Sequence, residues 1–253
     1  MTKFVSVEEA RAARGLRLVL AGNIPSPWSE AAKGAFDVKG INYVGVRQRI
    51  GEAESRVWTG HPNAPVAMFD DEPPLTNWGD ILALAERLGP EPSLIPVDED
   101  DRIAMFGLSH ELLGQGGLNW SARLLMIHDG LTTGGARGFP LRAAAYLAPK
   151  YGYAPDRIAA ARKRIAAVVG ALAACLSGGS DYLLGDRLSA TDIHAAVTLG
   201  ILLPLPEELC PTLPVFRHAC ETLDDDIRAL VPATLRAHRD RLYERHLSLP
   251  VTC

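Results

Sequence analysis

The string Gly185-Asp186-Arg187-Leu188-Ser189-Ala190-Thr191-Asp192-Ile193 constrains this chain more than any other stretch. Ser189 stands as a helix N-cap and Asp192 falls at the N3 position, from which a carboxylate reaches back to the cap's own N–H. Leu188 and Ile193 take the two staple positions. Such a box fixes where a helix starts and how the chain enters it. Capping boxes are common, so taken alone this one says only that a helix begins sharply here.

Around that anchor the two ends of the chain read differently. Residues 16 to 21 (LRLVLA) and 41 to 46 (INYVGV) are short apolar runs bounded by turn formers. The stretch from Trp28 to Lys39 places Ala31, Ala32, Ala35 and Phe36 on one side of a helix. A strand, helix, strand unit is predicted, with APVAMF (64 to 69) as a third strand that starts at a proline, where a missing N–H donor is tolerated. Thr76 and Asn77 open a helix through Leu88, which Gly89-Pro90 stops, and the proline-rich GPEPSLIPVDEDD reads as a linker. Beyond residue 100 no strand is expected. Ile158, Ile165, Val168, Val169, Leu172, Cys175 and Leu176 fall at helical intervals and predict a buried helix of about five turns. Residues 131 to 156, rich in Gly, Pro and Tyr, read as a long loop.

With 253 residues and 47% apolar content the chain can bury a sizeable core. Its 26 basic and 30 acidic residues are dispersed, which argues against nucleic acid or an anionic membrane surface as partner. The first fifteen residues lack the apolar core of a signal peptide, and no stretch approaches the roughly 20 apolar residues of a membrane span, so a cytoplasmic location is expected. Cys175, Cys210, Cys220 and Cys253 show neither C-x-x-C nor zinc-ligand spacing, consistent with a reducing compartment. No metal is expected. His110-Glu111 lacks the second histidine of a zinc helix, His128-Asp129 stands alone, and no P-loop, dinucleotide fingerprint or G-x-S-x-G elbow occurs.

The string at 185 to 193, following the apolar Tyr182-Leu183-Leu184, resembles the buried capping box that opens the central helix of the C-terminal domain of cytosolic glutathione S-transferases. Asn23-Ile24-Pro25-Ser26-Pro27-Trp28-Ser29, then a helix, then Lys39-Gly40-Ile41-Asn42-Tyr43, is similar to the opening of the serine-type members. The resemblance covers roughly residues 16 to 245. It implies an α+β fold: a thioredoxin-like domain over 16–90, with a mixed four-stranded sheet and helices, followed by an all-helical domain over 99–247. The first 15 residues lie outside it and receive no function.

By the same resemblance the co-substrate is glutathione and the partner substrate a hydrophobic electrophile, handled by a homodimer. Ser26 would be catalytic, its hydroxyl at a helix N-terminus favouring thiolate over thiol. Read without the family, Ser26-Pro27 is simply an N-cap followed by proline at N1, a favoured helix start. Ala64-Pro65 would bind glutathione through the backbone of Ala64, with a cis peptide before Pro65. Asn77 and Trp78 stand where the family carries an acidic residue and a serine for the γ-glutamyl end, and a tryptophan lacks the small hydroxyl that accepts there. That departure supports an alternative, a non-catalytic binding or assembly protein on the same fold. Trp120 and Arg123 fall where the family lines its electrophile pocket; interdomain packing and a surface charge are the competing readings.

Overall fold

The structure, a computed structural model, describes residues 3–49 and 51–253. Two compact units emerge. The first runs to Leu94 and also takes in Glu207–Thr212 and His246–Cys253, and the second comprises Ile95–Pro206 and Leu213–Arg245.

In the first unit β1 (Lys3–Phe4), β2 (Leu16–Ala21), β3 (Tyr43–Gln48) and β4 (Val66–Phe69) form one mixed sheet in the order β1-β3-β2-β4. β3 runs parallel to both β1 and β2, while β4 runs antiparallel to β2. The helices are α1 (Val7–Ala12), α2 (Pro27–Val38), α3 (Glu54–Thr59) and α4 (Trp78–Leu88). An interior strand covered on both faces reads as a continuous apolar run, and LRLVLA does so except at Arg17. Its buried guanidinium donates to the backbone oxygens of Ala13, at 3.0 Å, and Asp70. The thioredoxin-like arrangement expected from the sequence is present.

Residues 3–15 are part of this unit. β1 adds to the sheet edge beside β3, pairing Lys3 with Val44 and Phe4 with Gly45. Val7 and Ala10 of α1 are buried in one cluster with Val19, Val46, Val66 and Met68. A capping box between Ser6 and Glu9 starts α1, the Ser6 N–H donating to the Glu9 carboxylate at 2.9 Å.

The second unit is helical throughout: α5 (Glu99–Leu113), α6 (Leu118–Thr132), α7 (Leu141–Tyr151), α8 (Ile158–Cys175), α9 (Ala190–Leu202), α10 (Pro214–Glu221), α11 (Asp225–Ala229) and α12 (Ala233–Arg245). The stretch expected as a loop from 131 to 156 contains α7. Its Ala and Leu content favours helix, Pro140 precedes it, and Gly152, at φ 61°, ends it in the left-handed conformation that glycine adopts at least cost. α8 buries Ala161, Ile165, Val168, Val169 and Leu172 on one face, as its periodicity predicts. Among the described residues no helix is long and apolar enough to cross a membrane.

α9 is buried along almost its whole length, so its polar side chains must find partners inside the protein. The Asp192 side chain accepts from the N–H of Ser189 (2.9 Å), the hydroxyl of Ser189 (2.8 Å), the N–H of Leu183 (2.8 Å) and Nε2 of His238 (2.9 Å). His194 Nδ1 lies 2.9 Å from the Ser109 hydroxyl, which in turn lies 3.2 Å from that of Thr191. Asn119 donates to the Thr198 hydroxyl at 3.0 Å. One carboxylate thus joins the loop before α9, the start of α9 and α12.

Asp192→Ala strips the acceptor from two backbone N–H groups and an imidazole. Each buried orphan costs about 1–3 kcal/mol, so a loss of about 4 kcal/mol is expected in urea unfolding followed by circular dichroism. A loss below about 1 kcal/mol would refute this central role. His194 supplies a second expectation. Burial holds its pKa down at about 3, against an ordinary 6.5, with Asp192 pulling weakly the other way. The unfolded imidazole therefore takes up a proton that the folded one refuses. Stability is complete above pH 6.5 and declines as the pH falls towards 3, by about 2 kcal/mol at pH 5. His194→Asn, which keeps a polar atom near Nδ1 and removes the titration, should flatten the decline between pH 7 and 5; an unchanged slope would contradict it.

Candidate functional site

Three segments leave the sheet of the first unit at one end. β2 runs from Leu16 to Ala21, and the turn after it delivers Ser26 to the start of α2. β4 runs the opposite way, with Val66 opposite Val19 and Phe69 opposite Leu16, so Ala64 and Pro65 precede it at the end where β2 finishes. Leu75 then bridges back to Ala67 through two backbone hydrogen bonds of 2.8 and 2.9 Å in the antiparallel sense, so Asn77 and Trp78 depart at that same end. The N-termini of α2 and α4 accordingly open at one end of the sheet, where the helix dipoles favour negative charge.

Ser26 is the N-cap of α2, with Pro27 at N1, and is only 7% exposed. Its backbone oxygen accepts from the Glu30 N–H at 2.8 Å, but its hydroxyl accepts from no N–H of the first turn. The hydroxyl is therefore not committed to capping, which the bare Ser-Pro reading would have required. Capping is not its task here. Ser29, one turn on and fully buried, holds the helix instead: its hydroxyl oxygen accepts from the N–H of Ala21 at 3.0 Å and fastens the start of α2 to the end of β2. The sequence reading missed this role, although the second serine of S-P-W-S lies three residues from Ser26 and so shares its helix face.

The Ala64–Pro65 peptide is cis, and Ala64 is half-buried. Asn77 is the N-cap of α4, and its side-chain oxygen accepts from the N–H of Gly79 at 2.8 Å. The amide expected to meet a ligand thus occupies one of the N–H groups a bound carboxylate would use. Trp78 takes N1 and is half-buried.

Behind these segments α2 is fixed by buried charge. Lys39 donates to the oxygens of Gly89 and Pro92, each at 2.7 Å, and pairs with Glu86 at 2.8 Å, tying the end of α2 to the turn after α4. Glu30 and Lys33 form a buried pair at 2.6 Å. Burial raises the Glu30 pKa above the usual carboxylate range, with Lys33 drawing it back. Lys33 also donates to the Thr252 oxygen (2.7 Å), and Arg47 to the main-chain oxygen of Cys253 (2.8 Å). With Val251 N–H to Leu209 O at 2.8 Å and Thr212 to Asn23 O at 3.2 Å, these contacts draw 207–212 and 246–253 into the unit. The Cys253 thiol is pushed up to about 12 by burial and by Glu30, which makes it a poor nucleophile.

Residues 155–242 match the family described as glutathione S-transferase, C-terminal domain. No curated protein sequence matches the chain. Among solved structures, a glutathione S-transferase from Methylobacillus flagellatus with glutathione bound is 15% identical, with a TM-score of 0.64 over 91% of this chain and 95% of that one. One from Methylobacterium radiotolerans, in complex with glutathione sulfonate, is 22% identical, with a TM-score of 0.63 over 91% of each chain. The β-etherase LigF of a Sphingobium strain is 17% identical, with a TM-score of 0.62 over 91% of this chain and 96% of that one. The chain has the glutathione-transferase fold, and its helical domain carries the family's C-terminal signature, as the residues at 185 to 193 imply.

Proposed function

We propose that this chain is a glutathione transferase in which Ser26 holds the thiolate of glutathione for attack on an apolar electrophile. The observation that carries the reading is the Ser26 hydroxyl, placed at the N-terminus of α2 and unspent on capping. A hydroxyl donor and first-turn N–H groups favour a sulfur anion over a thiol, so the bound thiol loses its proton to solvent near neutral pH. The thiolate then forms a carbon–sulfur bond, and the leaving group departs with the bonding pair. Ala64 and the start of α4 would receive the peptide part of the co-substrate. Solved relatives of the same fold hold glutathione or its sulfonate, which supports this choice of ligand.

A second reading is favoured by one observation. Asn77 already satisfies the Gly79 N–H and Trp78 stands at N1, so the γ-glutamyl carboxylate has fewer donors than in a site with a small hydroxyl there. On that reading the chain is a non-catalytic binding module. Calorimetry with millimolar glutathione separates the two, because a bound ligand releases heat and raises the melting temperature by mass action. Transfer to 1-chloro-2,4-dinitrobenzene should be measurable, and Ser26→Ala should lower kcat/KM about 100-fold, with the pH–rate profile shifted to higher pH. Absence of both binding and transfer would favour the module. The reading also makes the protein a two-fold dimer of a reducing cytoplasm; light scattering should give twice 27.2 kDa, and a monomer mass would remove the dimer.

A further inference from the structure

Two of the cysteines lie in the sheet unit, and both sit in its added segments, Cys210 in 207–212 and Cys253 in 246–253. They are 7% and 9% exposed, and neither is in a disulfide. Cys175 and Cys220 belong to the helical unit. The two added segments run side by side in one register. Leu209 O accepts from the Val251 N–H at 2.8 Å, and Pro211 O accepts from the Cys253 thiol, a weak donor, at 3.8 Å. Cys210 is thus bracketed by the two residues that receive the other segment. Chains joined through main-chain hydrogen bonds lie about 5 Å apart, inside the roughly 4.4–6.8 Å that the Cα atoms of a disulfide span. The sulfurs also sense one another: burial raises the Cys253 thiol to about 12, with Glu30 and then Cys210 adding to it.

These segments brace the start of α2. Thr212 donates to Asn23 O at 3.2 Å, in the turn that delivers Ser26, and Asn23 holds a φ of 61° there. From the other side, Lys33 of α2 donates to Thr252 O and Arg47 of β3 to Cys253 O. Hydrogen bonds of this kind open and close as the native state fluctuates, whereas a covalent link between the two segments stays shut. Such a link closes the long stretch from 210 to 253, and long closed loops restrict the unfolded chain most.

We propose that Cys210 and Cys253 are a redox pair whose sulfurs close into a disulfide under peroxide, clamping 246–253 to 207–212 behind the turn that presents Ser26. Cys210 enters first. Its thiolate attacks one oxygen of hydrogen peroxide, the O–O bond breaks, and Cys210 becomes a sulfenic acid while the released hydroxide takes the proton the thiol had lost. The Cys253 sulfur then attacks the Cys210 sulfur, an S–S bond forms as the S–O bond breaks, and the hydroxyl departs with the second thiol's proton as water. Two thiols are oxidised and one peroxide is reduced by two electrons. Cys253 is the resolving partner, because its thiol stays protonated near neutral pH and its place beside Cys210 offsets its weak nucleophilicity. The pair needs no glutathione, so its failure and that of the transferase reading are distinguishable.

The test uses the full chain, reduced and then exposed to a small excess of hydrogen peroxide at about pH 8, where thiolate is populated. Arg164, Arg187, Arg217, Arg228 and Arg245 put the four cysteines on separate tryptic peptides, so mass spectrometry identifies the link. A Cys210–Cys253 peptide is expected, about 2 Da lighter than its two parts and lost on reduction. The oxidised chain should melt about 5 °C above the reduced one. Cys253→Ser should leave Cys210 trapped as a sulfenic acid that dimedone labels, while Cys210→Ser should leave Cys253 unlabelled. All four thiols surviving treatment, a link that joins other cysteines or two molecules, or an oxidised form with an unchanged melting temperature overturns the proposal. So does dimedone on Cys253 in place of Cys210. Should a variant fail to fold, the wild-type peptide map decides.

Discussion

The buried side chain of Asp192 is the interaction on which the helical half depends. It gathers the N–H groups of Leu183 and Ser189, the Ser189 hydroxyl and the imidazole of His238. These donors belong to an incoming loop, a helix start and the last helix, so one acidic group fixes three elements at once. α9 can then be buried nearly throughout, because polar side chains along its length find partners inside the protein. The faces of α5, α6 and α12 that pack on α9 meet one defined surface because that helix holds one register.

The sheet unit solves a related problem with basic side chains. Arg17, Lys33, Lys39 and Arg47 each donate to main-chain oxygens of another segment, so that loops and the chain's last residues are held by fixed cations. The end of the sheet where Ser26, Ala64 and Asn77 emerge is thereby backed by a firmly held α2. Ser29 completes the arrangement, since it anchors that helix to β2 and leaves the Ser26 hydroxyl uncommitted.

What the sequence disclosed and what it hid follow from the range of each interaction. The box at Ser189 and Asp192, the start of α2 at Pro27 and the periodicity of α8 are local, and they were legible because their partners lie within a few residues. The placing of 207–212 and 246–253 with the sheet rests on contacts such as Lys33 to Thr252, which no pattern along the chain can announce. α7 was hidden by composition, its flanking glycines and prolines outweighing a short Ala- and Leu-rich run. Asn77 was seen as polar, but that its oxygen is already used by Gly79 emerges only from the backbone at α4. From the sequence Arg123 reads as a pocket residue or a surface charge. Its burial between Phe139 and Phe216 depends on rings from two distant parts of the chain.

β1 bears on how this protein meets its own copies. Without it, β3 would present six residues of unpaired main chain along an open flank, the kind of ladder that recruits a further strand. Two residues of β1, followed at once by the turn into α1, occupy part of that flank and offer a newcomer almost no continuous ladder in exchange. Fibril-like stacking through this side of the sheet is thereby discouraged by the shortness of the strand that closes it.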